Sequence, residues 1–283
     1  MNRHAVITGA SNGLGFESAK ALAEEGFDLT MIARGSDRLI ERADFLRRQY
    51  PNQHIREIVM DISNLDTLRE FASHLDQPID ILMNNAGLMG PDFKLSIEGI
   101  ESQMATNHLG HFLLTALLWP NLQKAQDPRV ISLSSVVHRR GSLRDLTLEK
   151  LRGANQASYD RWQRYADSKL ACLVFSRELD TRAKLAGSKI KSIAAHPGWA
   201  ITGLQENFPH VLDPLAQDAK TGARSQIHAA LGDGLQGGEF IGPEFELWGK
   251  PKQIKGSSAS RNLDTAKRLW ELSEELVGLE FLS

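Results

Sequence analysis

Tyr165 and Lys169 lie four residues apart in Tyr165-Ala166-Asp167-Ser168-Lys169, at the head of an apolar run through Phe175. On a helix, that spacing stacks the two side chains on one face. An ammonium about 5 Å from a phenol, at an effective dielectric of roughly 20, favours phenolate by about 3 kcal/mol. That is on the order of two pKa units and suits general acid–base chemistry. Ser134 and Ser135 end the apolar run Val130–Leu133, where an open α/β sheet binds its ligands. Ser135 followed by His138 also allows a serine-hydrolase pairing, but no Gly-x-Ser-x-Gly elbow accompanies them. Asn107 is polar in the middle of an apolar helix pattern. His108 and His111, spaced i, i+3, could hold a metal, but no further ligands cluster with them, so no metal site is expected.

The elements that must position these residues begin at once. The short strand Ala5–Thr8 leads into Gly9-Ala10-Ser11-Asn12-Gly13-Leu14-Gly15 and then a helical pattern. Strand, glycine-rich turn and helix make a diphosphate site, because the backbone can approach the phosphates and the helix N-terminus favours negative charge. The second strand, Asp28–Ala33, is followed by Arg34, 19 residues past Gly15, with Ser36 and Arg38 nearby. An acid at this place receives a ribose hydroxyl, and an Arg accommodates a 2′-phosphate, so NADP is favoured over NAD. Asp37 is the competing observation, and it suits the first turn of a helix. Asp61-Ile62 ends the third strand; Asp61 could meet adenine or cap the helix that follows. Asn84-Asn85-Ala86-Gly87 ends the fourth, where amides can tie strands together beside a cofactor.

Further strands are expected at Ile190–Ala195 and near Glu239–Ile241, with helices from about Pro214 to Leu231 and from Asp264 to Val277. The polar stretch 139–162 is too long for a simple link and reads as a surface excursion with a short helix near Leu148. The stretch 199–215, with Gly203, Pro209 and Pro214 among apolar residues, suits a loop over an apolar substrate. Gly249–Ser260 reads as a basic, solvated loop. The pattern as a whole is one doubly wound α/β domain over residues 1–283, with seven parallel strands and helices on both faces.

The 283 residues carry a net charge of -2, which gives no reason to expect nucleic acid or an anionic membrane as partner. The single cysteine, Cys172, excludes an intrachain disulfide. With no apolar stretch long enough to span a bilayer and no leader or anchor expected, the sequence reads as a cytoplasmic protein acting on a small molecule.

Together, Thr8-Gly9-x3-Gly13-x-Gly15, Asn84-Asn85-Ala86-Gly87, Asn107, Ser135 and Tyr165-x3-Lys169 resemble the short-chain dehydrogenase/reductase family across almost the whole chain. Asn107–Thr115, Leu133–His138 and Arg268–Ser273 resemble its retinol dehydrogenase-like branch, whose members reduce lipophilic aldehydes and ketones or oxidise the matching alcohols. The resemblance implies that Tyr165 is the catalytic acid or base. It implies that Lys169 holds the nicotinamide ribose and lowers the phenol's pKa. Ser135 would bond the substrate carbonyl, and Asn107 would hold a water in a relay to Lys169. Pro197, Gly198 and Thr202 would bind the carboxamide, with Asn85, Ala86 and Gly87 along the cofactor and Asp61-Ile62 at adenine. Light-dependent protochlorophyllide reductases share parts of the pattern, so reduction of a carbon–carbon double bond is an alternative, as is an NADP sensor without turnover. Ser135 and Tyr165 are 30 residues apart, and the excursion between them bears on the family's usual dimer surface, leaving homodimer and monomer both open.

Overall fold

The structure, a computed structural model, describes residues 2–200 and 216–282. Eight strands form one sheet in the order β3-β2-β1-β4-β5-β6-β7-β8. They are β1 His4–Thr8, β2 Asp28–Ala33, β3 Ile55–Val59, β4 Ile81–Asn84, β5 Arg129–Leu133, β6 Lys191–Ala195, β7 Phe240–Pro243 and β8 Pro251–Gln253. The first seven run parallel, as expected. The eighth runs antiparallel to β7 and lies within the stretch expected to be a loop. Only three residues long and opening with Pro251, it lacks the alternating apolar signal of a strand and covers an edge that would otherwise be open.

The helices are α1 Gly13–Glu24, α2 Ser36–Gln49, α3 Leu65–Ser73, α4 Ser102–Met104, α5 Gly110–Lys124, α6 Leu148–Arg152, α7 Arg161–Leu185, α8 Ala219–Leu231 and α9 Leu263–Val277. Alternation along the strands divides the core into two layers. Ala5 and Ile7 of β1 face one side, with residues of α1, α2 and α8. Val6 faces the other, with residues of α3, α5, α7 and α9. There α9 docks through Trp270, whose ring meets Phe112, Phe175 and Phe281 at 4.9, 5.9 and 5.4 Å between centroids.

The apolar stretch read as one long helix is in fact three segments. Between α4 and α5 the chain makes a π-turn, Ala105–Leu109, closed by the Gly110 amide donating to the Ala105 carbonyl five residues back. Such turns are rare and collect at functional sites. The turn is fixed from outside: a β-carbon on Gly110 would collide with the Ile62 carbonyl oxygen. Glu101, at the N-terminus of α4, is fully buried and pairs with Arg164 of α7 at 2.9 Å. The Arg164 guanidinium also donates to the carbonyls of Lys150 and Leu151, stitching α6, within the excursion, to α7.

Candidate active site

The β1–α1 turn needs glycine at three places for two reasons. Gly9 and Gly13 have φ of +68° and +52°, the left-handed region other residues avoid. A β-carbon on Gly15 would strike the Gly9 carbonyl oxygen and the Asn85 side-chain amide. The turn forms one wall of a cleft of about 600 Å³. Ser11, Asn12 and Leu14 line it, as do Arg34 to Arg38, Met60, Asp61, Ile62, Asn85, Ala86, Gly87, Thr106 and Leu133. Two helix N-termini open onto it, those of α1 and α2, and neither has a side-chain cap. By contrast α3, α6, α7, α8 and α9 are capped by Asn64, Thr147, Asp160, Asp218 and Asn262. Free helix-terminal amides are donors for an anion. Glycine cradle, uncapped helix ends and arginines fit a dinucleotide with a further phosphate on its ribose.

After β2, the Arg34 guanidinium is more than half exposed and stands 3.9 Å from Asp61. Arg38 lines the same end of the cleft. The Ser36 hydroxyl instead bonds the Asp37 carboxylate at 3.0 Å, which engages the competing acid. Asp61 is not the cap of α3: its Oδ1 accepts from the Ser63 amide and hydroxyl, while Asn64 caps the helix.

The catalytic candidates Asn107, Ser135, Tyr165 and Lys169 do not line the cleft but stand behind it, with Lys169 Nζ reaching the lining residues Gly87 and Leu133. Tyr165 and Lys169 are both buried on one face of α7, with Nζ 5.9 Å from the phenol ring centroid. Ser135 lies beside the phenol, where its side chain favours the phenolate. Ser134, its neighbour, is spent on structure, donating to the Lys169 carbonyl at 2.7 Å. The expected lowering of the Tyr165 pKa is overturned. Burial pushes the phenol up to about 12, and only Ser135 pulls the other way. Desolvation of a fully enclosed phenolate outweighs a cation held at this distance. Burial also lowers Lys169, whose Nζ donates to the Leu133 carbonyl at 3.0 Å.

Asn107 sits in the π-turn with its amide fully committed. Oδ1 accepts from the Leu88 amide at 2.7 Å, and Nδ2 donates to the Leu88 carbonyl and the Ser168 hydroxyl at 3.0 and 2.8 Å. Its side chain therefore clamps the loop after β4 to α7. Asn85 ties strands, as its type suggested, donating to the Thr8 carbonyl at 2.8 Å. Gly87 lets that loop run close beside Asn107 and Lys169.

Pro197 and Gly198 lie at the carboxyl end of β6 and do not line the cleft. Gly198 has φ +75°, and its amide donates to His196 Nδ1 at 3.1 Å. Thr202 and all but the first two residues of the 199–215 loop lie outside the described residues. His138 donates to the carbonyl of Ser135, not its hydroxyl, so no hydrolase pair is built. Among the described residues no group of ligands could hold a metal, and His108 bonds the Ser273 hydroxyl instead. Thr106 and Leu133 line the cleft without having been given a role from the sequence, and Thr8 entered there only as the first residue of the glycine-turn motif. Thr8 carried a signal, a hydroxyl directly before the glycine turn.

A family pattern described as short chain dehydrogenase matches residues 3–144. Retinol dehydrogenase 12 of Mus musculus is 33% identical, over 98% of this chain and 86% of its own. The chloroplastic short-chain dehydrogenase TIC 32 B of Brassica napus is 34% identical, over 96% of this chain and 88% of its own. Among solved structures, an uncharacterised protein from Mycobacterium paratuberculosis superposes with a TM-score of 0.83 at 35% identity, covering 99% of this chain and 94% of that one.

Proposed function

The chain belongs to the short-chain dehydrogenase/reductase family of oxidoreductases, and from that membership we propose an NADP(H)-dependent enzyme that interconverts carbonyl and alcohol on a lipophilic small molecule. The observation that carries the reading is Tyr165 and Lys169 buried on one face of α7, with Lys169 Nζ bonded to the carbonyl of Leu133, a lining residue of the cleft that presents Arg34 and Arg38. NADPH bound along the glycine turn supplies hydride; the protein supplies orientation and the proton. In the reducing direction Ser135 and Tyr165 converge on the carbonyl oxygen. Tyr165 Oη gives its proton to that oxygen as carbon accepts hydride, and the Lys169 ammonium offsets the phenolate left behind. The reverse direction returns the proton to Tyr165. The lipophilic character rests on the retinol dehydrogenase relatives and on the apolar composition of residues 199–215.

The test is consumption of NADPH and of NADH with a panel of apolar aldehydes, all-trans-retinal and nonanal among them. Turnover is expected with NADPH. Arg34→Ala should weaken NADPH binding about tenfold or more and leave NADH within about twofold, since only the former carries the 2′-phosphate. An equal loss for both would remove the role given to Arg34.

A further inference from the structure

Thr8 closes β1 immediately before the glycine turn, and His111 stands near the start of α5. Neither touches the substrate end of the cleft, yet the hydrogen bonds between them leave one arrangement. The amides of Asn85 and Ala86 both donate to Thr8 Oγ1, at 3.0 Å each. A hydroxyl has two lone pairs and one proton, so those amides use its accepting capacity. Its proton must point outward, and the nearer acceptor is His111 Nε2 at 2.8 Å, against 3.3 Å to the Met83 carbonyl. On the other side of the ring, Nδ1 lies 3.1 Å from the Asn107 carbonyl, which can only accept. Nδ1 therefore carries the hydrogen and Nε2 the lone pair. A protonated ring would aim Nε2–H at an oxygen with no lone pair to spare. Burial and the Lys169 charge both favour the neutral ring, against the Asn107 bond, and hold His111 at about 4. The same Asn107 carbonyl accepts the thiol hydrogen of Cys172, on α7 three residues beyond Lys169, at 3.0 Å.

We infer that His111 is a positioning residue: its neutral imidazole bridges the strand carrying the dinucleotide turn to the Asn107 carbonyl, which abuts the catalytic helix. Through Thr8 the ring is tied to the Asn85–Ala86 wall of the cleft; through Asn107 it is tied to the π-turn and α7. Seating a dinucleotide against the glycine turn and holding Lys169 in place become one mechanical unit. The part of this inference that concerns turnover rests on the oxidoreductase reading above.

The decisive measurement is side-chain ¹⁵N–¹H NMR of the histidines in the full chain, titrated with NADPH, beside nonanal kinetics. His111 should show the Nδ1–H tautomer, unchanged from about pH 5.5 to 8, and its Nε2 signal should move when NADPH binds. His111→Phe keeps the ring volume but breaks both bonds. It should lower kcat about tenfold or more while the KM for nonanal stays within about threefold. Neither His111→Asn, which serves only the Asn107 side, nor His111→Gln, which serves only the Thr8 side, should restore wild-type kcat, because the bridge needs both bonds. An Nε2–H tautomer, an Nε2 signal that ignores NADPH, or a Phe variant with wild-type kcat would overturn the bridge, as would an Asn or a Gln variant with wild-type kcat. Should wild-type protein leave nonanal untouched, the proposed activity fails on its own, and the NMR arm still decides the bridge.

Discussion

At Tyr165, burial and the Ser135 side chain act in opposite directions, and burial wins. The phenol is held at about 12, so it is protonated throughout the neutral range. For carbonyl reduction the protonated form is the active one, and kcat should be flat from about pH 6 to 9. Alcohol oxidation needs phenolate, so its kcat should rise with pH by about tenfold per unit over the same range. A reduction rate falling through neutrality would instead mark a phenol tuned downward. The Tyr–Lys spacing made the pair visible in the sequence, but not the sign of the pKa shift. Sequence spacing reports which face two residues share and says nothing of how dry that face is.

Among the elements, the π-turn and the glycine turn show what the sequence could and could not convey. The glycine turn was legible because only glycine tolerates the left-handed backbone at Gly9 and Gly13. Asn107 stood out as a polar residue in an apolar helix, but the widened turn around it was invisible, because it depends on Gly110 meeting Ile62 from a distant strand end. Gly110→Ala forces a β-carbon against that carbonyl and should lower stability by about 2 kcal/mol, read as a shifted denaturant midpoint. An unchanged midpoint would mean that the turn gives way freely. The buried Glu101–Arg164 pair was likewise illegible, since its partners are 63 residues apart. Arg164→Met should cost about 3 kcal/mol or more by leaving the Glu101 carboxylate buried without its cation. A loss under about 1 kcal/mol would show that the Ser102, Gln103 and Met104 donors suffice for that carboxylate.

Across the whole molecule, alternating strands and helices gave the doubly wound architecture in advance, since most of the parallel strands read as short apolar runs, β3 with Arg56 and Glu57 being the exception. The antiparallel β8 escaped because an edge strand of Pro, Lys and Gln carries no such run. No described helix is long and apolar enough to cross a membrane. The buried histidines give the fold an acid limit. His108 and His196 are held at about 3 and His111 at about 4, each mainly by burial. In the unfolded chain each titrates near 6.5 and binds a proton that the folded chain refuses. Stability should therefore be full above about pH 6.5 and fall steadily towards pH 4, by on the order of 3 kcal/mol each for His108 and His196. Denaturant midpoints measured across that range check it, and a flat profile would contradict it.

The account stands on Tyr165 as the proton carrier beside a dinucleotide site. The most direct test is Tyr165→Phe, which removes one oxygen and keeps the ring, with NADPH affinity and nonanal reduction measured on the same preparation. Turnover should fall by about a thousandfold or more, while NADPH affinity stays within about threefold of wild type. A variant that still turns over at near the wild-type rate would contradict the account.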